Sequence, residues 1–131
     1  MAVIASSTVD SDAGYANRID AGGHALTADE PTSGGGTDTG PAPYALLLSA
    51  LGACTSITLR MYAERKGWQL GHIHVELSHH KSHDGAEHIE RQVRFGAALS
   101  DEQRARIADI VEKTPVTKTI KAGATITTKL L

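Results

Sequence analysis

One thiol offers this chain nucleophilic chemistry. Cys54 is its single cysteine, set in the run "SALGACTSITL" of residues 49–59, where Ser49, Ala50, Gly52, Ala53, Thr55 and Ser56 are all small. Longer apolar residues, Leu46 to Leu48 and then Ile57 and Leu59, flank the run. The small residues have two readings. They let another backbone approach a buried helix, with Cys54 a compact hydrophobe, or they leave room for a substrate beside a reactive thiolate. A free thiol is only ~3% ionised at pH 7, so the second reading requires a group that favours the anion. Two arginines are candidates: Arg18 in an early extended segment, and Arg91, whose parity in "HIERQVRFGA" (88–97) places it with the inward residues Ile89, Val93 and Phe95. Each has a plainer reading: a solvated strand arginine for Arg18, and pairing with Glu90 or Glu76 for Arg91. A second cluster, His79, His80, His83, Asp84 and His88, offers ligands of the kind that hold zinc or nickel. A polar hairpin tip with imidazoles facing water is the plainer reading, and no metal or other cofactor is expected.

The elements that must carry these residues follow from punctuation and period. Residues 1–9, 15–20 and 24–28 read as three short strands separated by "DSDAG" and "AGG" turns. "DEPTSGGGTDTGPAP" (29–43) is a long loop of the kind found at sites. Prolines at 41 and 43 open a helix that runs from Ala42 to about Lys66 and stops at Gly67. Its first five turns are apolar nearly all round, which predicts burial on most sides. Residues 72–80 and 88–97 alternate as two strands. Ser100 and Gln103 form a capping-box signature for a helix to about Lys113. Thr114 and Pro115 open a further short helix with Thr114 as its cap, and residues 122–131 read as a closing strand.

The order gives an α+β fold with an antiparallel sheet, in one domain over 1–131. The long helix needs more cover than 131 residues supply easily, so a homodimer is expected, with Leu47, Leu51 and Thr58 among the buried positions. The net charge of −2 gives no basic footprint for nucleic acid. Ala42 to Leu59 is uncharged for 18 residues, but its proline, glycine, serines and threonines favour a buried helix over a membrane span. No charged segment precedes an apolar stretch at the start, and the lone cysteine makes no internal disulfide. A cytoplasmic protein is expected.

The segment "DEPTSGGGTDTGPAPYALLLSALGACTSITLRMYAERKGW", followed by "LSDEQRARIADIVEKTPVTKTI", resembles the two signature regions of the OsmC/Ohr family of thiol-dependent hydroperoxide reductases. The resemblance runs from Gly14 to the end of the chain. It implies an intertwined homodimer in which six-stranded sheets wrap two long central helices. It also implies that Cys54 is the peroxidatic cysteine, oxidised by an organic hydroperoxide to a sulfenic acid. Two positions depart from the family pattern. The family's second cysteine, just before "PV", is Thr114 here, and the glutamate that follows the loop proline is Tyr44. The activating arginine comes from an early strand in the family, near Arg18. The resemblance therefore implies a one-cysteine cycle resolved by an external thiol reductant. The alternative is a non-catalytic protein of the same fold that binds a small apolar molecule.

Overall fold

The computed structural model describes all 131 residues, Met1 to Leu131. They form two compact units, residues 1–47 and 48–131.

The first unit is a three-stranded antiparallel meander of β1 (Ser7–Asp10), β2 (Asn17–Ala21) and β3 (His24–Ala28), in the order β1-β2-β3. The β2–β3 turn uses two glycines at positive φ, Gly22 at 58° and Gly23 at 86°, a backbone region that carries no steric cost without a Cβ. The loop that follows is organised by one carboxylate. Asp29, 2% exposed, accepts from the Glu30 amide at 2.8 Å through one oxygen. Its other oxygen accepts from the amides and hydroxyls of Thr37 (3.2 and 2.6 Å) and Thr39 (3.1 and 2.7 Å). Glycines let the loop fold back this tightly: a Cβ on Gly36 would lie 2.0 Å from the Glu30 carbonyl oxygen, and one on Gly40 would lie 2.2 Å from that of Thr27.

These hydrogen bonds, that from the Thr37 hydroxyl foremost, hold the Asp29 carboxyl well below the usual carboxylate range. The folded-state pKa is thus lower than the unfolded one. The stabilisation is complete above about pH 4 and is lost as pH falls from there toward the folded value. Asp29→Ala should speed amide exchange at Thr37 and Thr39 by at least about tenfold at neutral pH. It should also flatten the loss of loop protection that acid causes in the parent protein. Unchanged exchange at both amides would show that the loop is held by other contacts.

Helix α1 (Pro43–Lys66) leads into the second unit, which continues with β4 (Ile73–Lys81), β5 (Glu87–Phe95), α2 (Asp101–Val111) and α3 (Pro115–Ala122). β4 and β5 are an antiparallel hairpin with Leu77 opposite Arg91 and His80 opposite His88. The core is Leu59 and Ala63 of α1, Leu70, and Ile107 of α2, with Trp68, Ile73, Val93, Phe95, Leu99 and Ile110 packed against it. Ser100 caps α2 with the full reciprocal capping box to Gln103, as the spacing predicts.

In the single chain the strands form a three-stranded and a two-stranded sheet; the six-stranded sheets that the family resemblance implies belong to a dimer. The closing strand expected over 122–131 does not form: Ala122 ends α3 and residues 123–131 are irregular, with Ile126, Leu130 and Leu131 exposed. A strand closes its backbone hydrogen bonds only on another strand's edge, and alternation alone cannot supply that edge. Burial around α1 is one-sided in the single chain, whereas the expected burial of Leu47, Leu51 and Thr58 refers to a dimer. Leu51, Gly52, Thr55, Leu59 and Ala63 are buried. Thr58 is only part-buried, and Leu47, Ile57 and Met61 are 39, 55 and 53% exposed.

Candidate functional site

Cys54 lies on α1 and is part-buried. Part of the small-residue run around it is explained by β4: a Cβ on Gly52 would come within 2.9 Å of the Leu77 side chain, so glycine lets the hairpin seat against the helix. Ala50 and Ala53 face outward and are exposed, beside Ile57 and Met61.

The group that faces the sulfur comes from α3. The Val116 amide donates to Cys54 Sγ at 3.5 Å, and the Thr58 hydroxyl lies 4.0 Å away. This amide is free for the sulfur because of how α3 begins. Pro115, at the first helical position, has no N–H. Val116 therefore carries the first amide of a helix whose intrahelical bonding starts with Lys118 N donating to Thr114 O at 3.0 Å. The N-terminal amides of a helix lack internal acceptors and carry its positive end, so they can donate to an outside acceptor such as this sulfur. Cys54 lies too far along its own helix to use that helix's start, and α3 supplies one instead.

Thr114 occupies the N-cap position, but its hydroxyl makes no cap hydrogen bond. It pairs instead with the Thr117 hydroxyl at 2.5 Å, and Thr114 is fully buried. The expected capping role is replaced by a buried hydroxyl pair, which leaves the helix-end amides for other acceptors.

Arg91 points inward, as its parity predicts, and ties three elements together. Its Nη1 donates to Thr55 Oγ1 and to Thr117 Oγ1, each at 2.9 Å. Its Nη2 donates to the Val111 carbonyl at 3.0 Å, at the C-terminus of α2, where carbonyls lack internal donors and a cation is favoured. The Thr55 hydroxyl in turn donates to Leu51 O at 2.7 Å. Thr55 follows Cys54 in sequence and Thr117 follows Val116, so one guanidinium nitrogen grips the neighbours of both partners in the sulfur–amide contact. The oxygens of Thr55, Thr117 and Val111, and not Glu90 or Glu76, receive the Arg91 hydrogen bonds. Glu112, whose carboxyl Lys121 holds below its ordinary range by a hydrogen bond, feels the Arg91 charge as a smaller contribution.

Arg18 lies on β2 of the first unit, where its guanidinium bonds Asp12 at 2.6 Å. Both side chains of that pair are well exposed, at 67 and 80%. The histidines divide between faces: His79 pairs with Glu87 at 2.9 Å, while His80 stands opposite His88. No three histidine, cysteine or acidic side chains converge to hold a metal.

The sequence singles out Cys54 and Arg91, and the structure adds Val116, Thr55 and Thr117 as their contacts. The signal for Val116 was present in the Thr-Pro-Val order: proline at the first helical position makes the next amide the first one available. The partners of Arg91 had no sequence signal, because they lie 20 to 36 residues away in the chain.

The description of a family model, OsmC-like protein, matches residues 35–129. No curated protein matches this chain at a significant level. Among solved structures, an OsmC-like protein from Mycoplasma pneumoniae superposes with a TM-score of 0.73 at 20% identity, over 92% of this chain and 89% of that one. OhrB of Bacillus subtilis, an organic hydroperoxide resistance protein, gives a TM-score of 0.61 at 22% identity, over 91% of each chain. A Vibrio cholerae structure described as an organic hydroperoxide resistance protein with captopril in one of its active sites gives 0.63 at 18% identity, over 92% of this chain and 88% of that one. The fold is the one these structures share, α+β with three helices and antiparallel sheets, and the chain belongs to the OsmC-like family.

Proposed function

We propose that this protein reduces organic hydroperoxides at Cys54 in a one-cysteine cycle. The contact from the Val116 amide to Cys54 Sγ is the observation that carries the reading. It places a backbone hydrogen-bond donor from the start of a helix against the sulfur, in reach of the oxidised form as well. The thiolate attacks the terminal peroxide oxygen and the O–O bond breaks. The leaving alkoxide takes a proton to become an alcohol, and the sulfur becomes a sulfenic acid. With threonine at position 114 and no second cysteine, an external monothiol attacks the sulfenic sulfur and water leaves. A second monothiol then releases Cys54 and departs as the oxidised disulfide. Hydroperoxide resistance among the structural relatives supports this substrate class.

Arg91 serves here as a positioning residue, since its guanidinium donates to Thr55, Thr117 and Val111 O. Arg18 sits in an exposed ion pair with Asp12 and is given no part in this cycle. The reading places the protein in the cytoplasm, where low-molecular-weight thiols are kept reduced.

The test is oxidation of the reduced protein by one equivalent of cumene hydroperoxide in the presence of dimedone. A dimedone adduct on Cys54, with peroxide consumption sustained by a monothiol, is expected. Absence of both, with binding of a small apolar molecule beside Cys54, would instead establish the non-catalytic reading.

The same proposal includes an obligate homodimer. Ala50, Ala53, Ile57 and Met61 follow one another at helical spacing on α1, and all are exposed in the single chain. The two alanines permit close approach of a second helix, and the larger pair offers apolar area to bury. Sedimentation at micromolar concentration should show a dimer, and Ile57→Asp should shift it toward monomer. A folded monomer of the parent protein at that concentration would contradict the assembly.

A further inference from the structure

We propose that His80 and His88 form a two-imidazole chelate for a late first-row divalent cation such as zinc, nickel or copper. The histidine-rich hairpin of β4 and β5 holds more imidazoles than such a chelate needs, and the structure separates them by role. His79 lies on the inward face and is engaged by Glu87 at 2.9 Å. Asp84 is occupied at the turn, where it accepts from the Ser82 hydroxyl and from the Ala86 amide at 3.1 Å. His83 lies in the turn, whereas His80 and His88 stand directly opposite each other in the antiparallel register. Both are exposed, with ring centroids 6.3 Å apart and planes tilted by 30°.

Their backbone platform is closed at the tip by Ser82 N donating to Ala86 O at 2.9 Å and Gly85 N donating to Ser82 O at 3.0 Å. Directly opposed residues on one face of a hairpin keep their Cβ atoms about 5 Å apart. Imidazole nitrogen binds zinc at about 2.0–2.1 Å, so two rings sharing one ion need their centroids roughly 5 Å apart in a tetrahedral arrangement. A small side-chain rotation covers the difference.

Ser78 supports the arrangement. Its hydroxyl oxygen lies 2.9 Å from His80 Nε2. In the tautomer where Nε2–H donates to that oxygen, Nδ1 carries the lone pair. Fixing the second ring nitrogen in this way is how ligating histidines are oriented and made more basic. With no third protein ligand converging on the pair, water completes the coordination. The ion then clips the open end of the hairpin across its two strands.

The test is calorimetric titration of the full-length reduced protein with Zn²⁺, alongside His80→Gln, His88→Gln, His83→Gln and Cys54→Ser. The expected result is one ion per chain, with affinity reduced at least about tenfold in both the His80 and the His88 variants and unchanged in the other two. A zinc-dependent rise in the thermal midpoint should disappear with the same two substitutions. Both target residues are exposed, so these variants should keep the parent circular dichroism. The proposal is overturned if the parent binds no zinc, or if either His80→Gln or His88→Gln keeps the parent affinity. Loss of binding in His83→Gln or Cys54→Ser would overturn it too, by moving the ion to the turn or to the thiol.

Discussion

Cys54→Ser should abolish monothiol-dependent consumption of cumene hydroperoxide, with a loss on the order of 10³-fold or more, as is usual when a nucleophile is removed. The serine oxygen is smaller than sulfur and its bond to Cβ is shorter, so the substitution fits without a clash. That oxygen cannot take up a peroxide oxygen, so the cycle has no first step. Folding should survive, because Cys54 is only part-buried and its packing neighbours are small. Peroxide consumption and circular dichroism measured on the same sample separate the two effects. Turnover that persists in the serine variant would mean that the sulfur contacted by α3 is not the nucleophile. The resolving step has its own expected signature: with threonine at 114, the sulfenic acid should persist when thiol is withheld and advance to sulfinic acid under excess peroxide.

The sequence made the local elements readable because each is specified by neighbours a few residues apart. The capping box at Ser100 and Gln103 fixed the start of α2. Pro115 fixed that of α3, and strict alternation in "HIHVELSHH" set the faces of β4. What stayed hidden depends on distant chain segments. Nothing near Asp29 announces that it gathers Thr37 and Thr39, and nothing near Arg91 names Thr55, Thr117 or Val111. Residues 123–131 illustrate the reverse failure. Their pattern suits a strand, but a strand depends on an edge that the pattern does not contain. The apolar circumference of α1 was likewise legible in the sequence, whereas the identity of the face left open, Ala50 to Met61, required the position of β4 and β5 against the other side. At Cys54 the thiol itself was evident, but its closest donor proved to be a backbone amide, which every residue type except proline carries and which composition therefore cannot mark.

Replacing Arg91 should cost both stability and chemistry, and two variants distinguish how. Arg91→Leu removes three charge-assisted hydrogen bonds. Thr55 and Thr117 each keep another partner, Leu51 O and Thr114 respectively, so the sharpest loss falls on the Val111 carbonyl. Hydrogen bonds to a charged group contribute ~1.5–3 kcal/mol each, offset in part by relief of the arginine's own desolvation. A net destabilisation of about 2–3 kcal/mol is therefore expected in denaturant unfolding. The chemical effect follows from geometry: without the bridge, the turn bearing Cys54 and the start of α3 are no longer held by a common atom. A displacement of the order of 1 Å at a reacting group can cost about 10²-fold in rate.

Arg91→Lys tests whether charge or bridging matters. A single ammonium keeps the positive charge but lacks the planar fork that reaches two hydroxyls and a carbonyl at once. If Arg91 works by holding α3 against α1, the lysine variant should recover part of the stability, while its rate constant for oxidation by cumene hydroperoxide stays as low as that of the leucine variant. Recovery of that rate constant by lysine would show that Arg91 acts on the thiolate through its charge, and that the bridge to Thr55 and Thr117 is structural only.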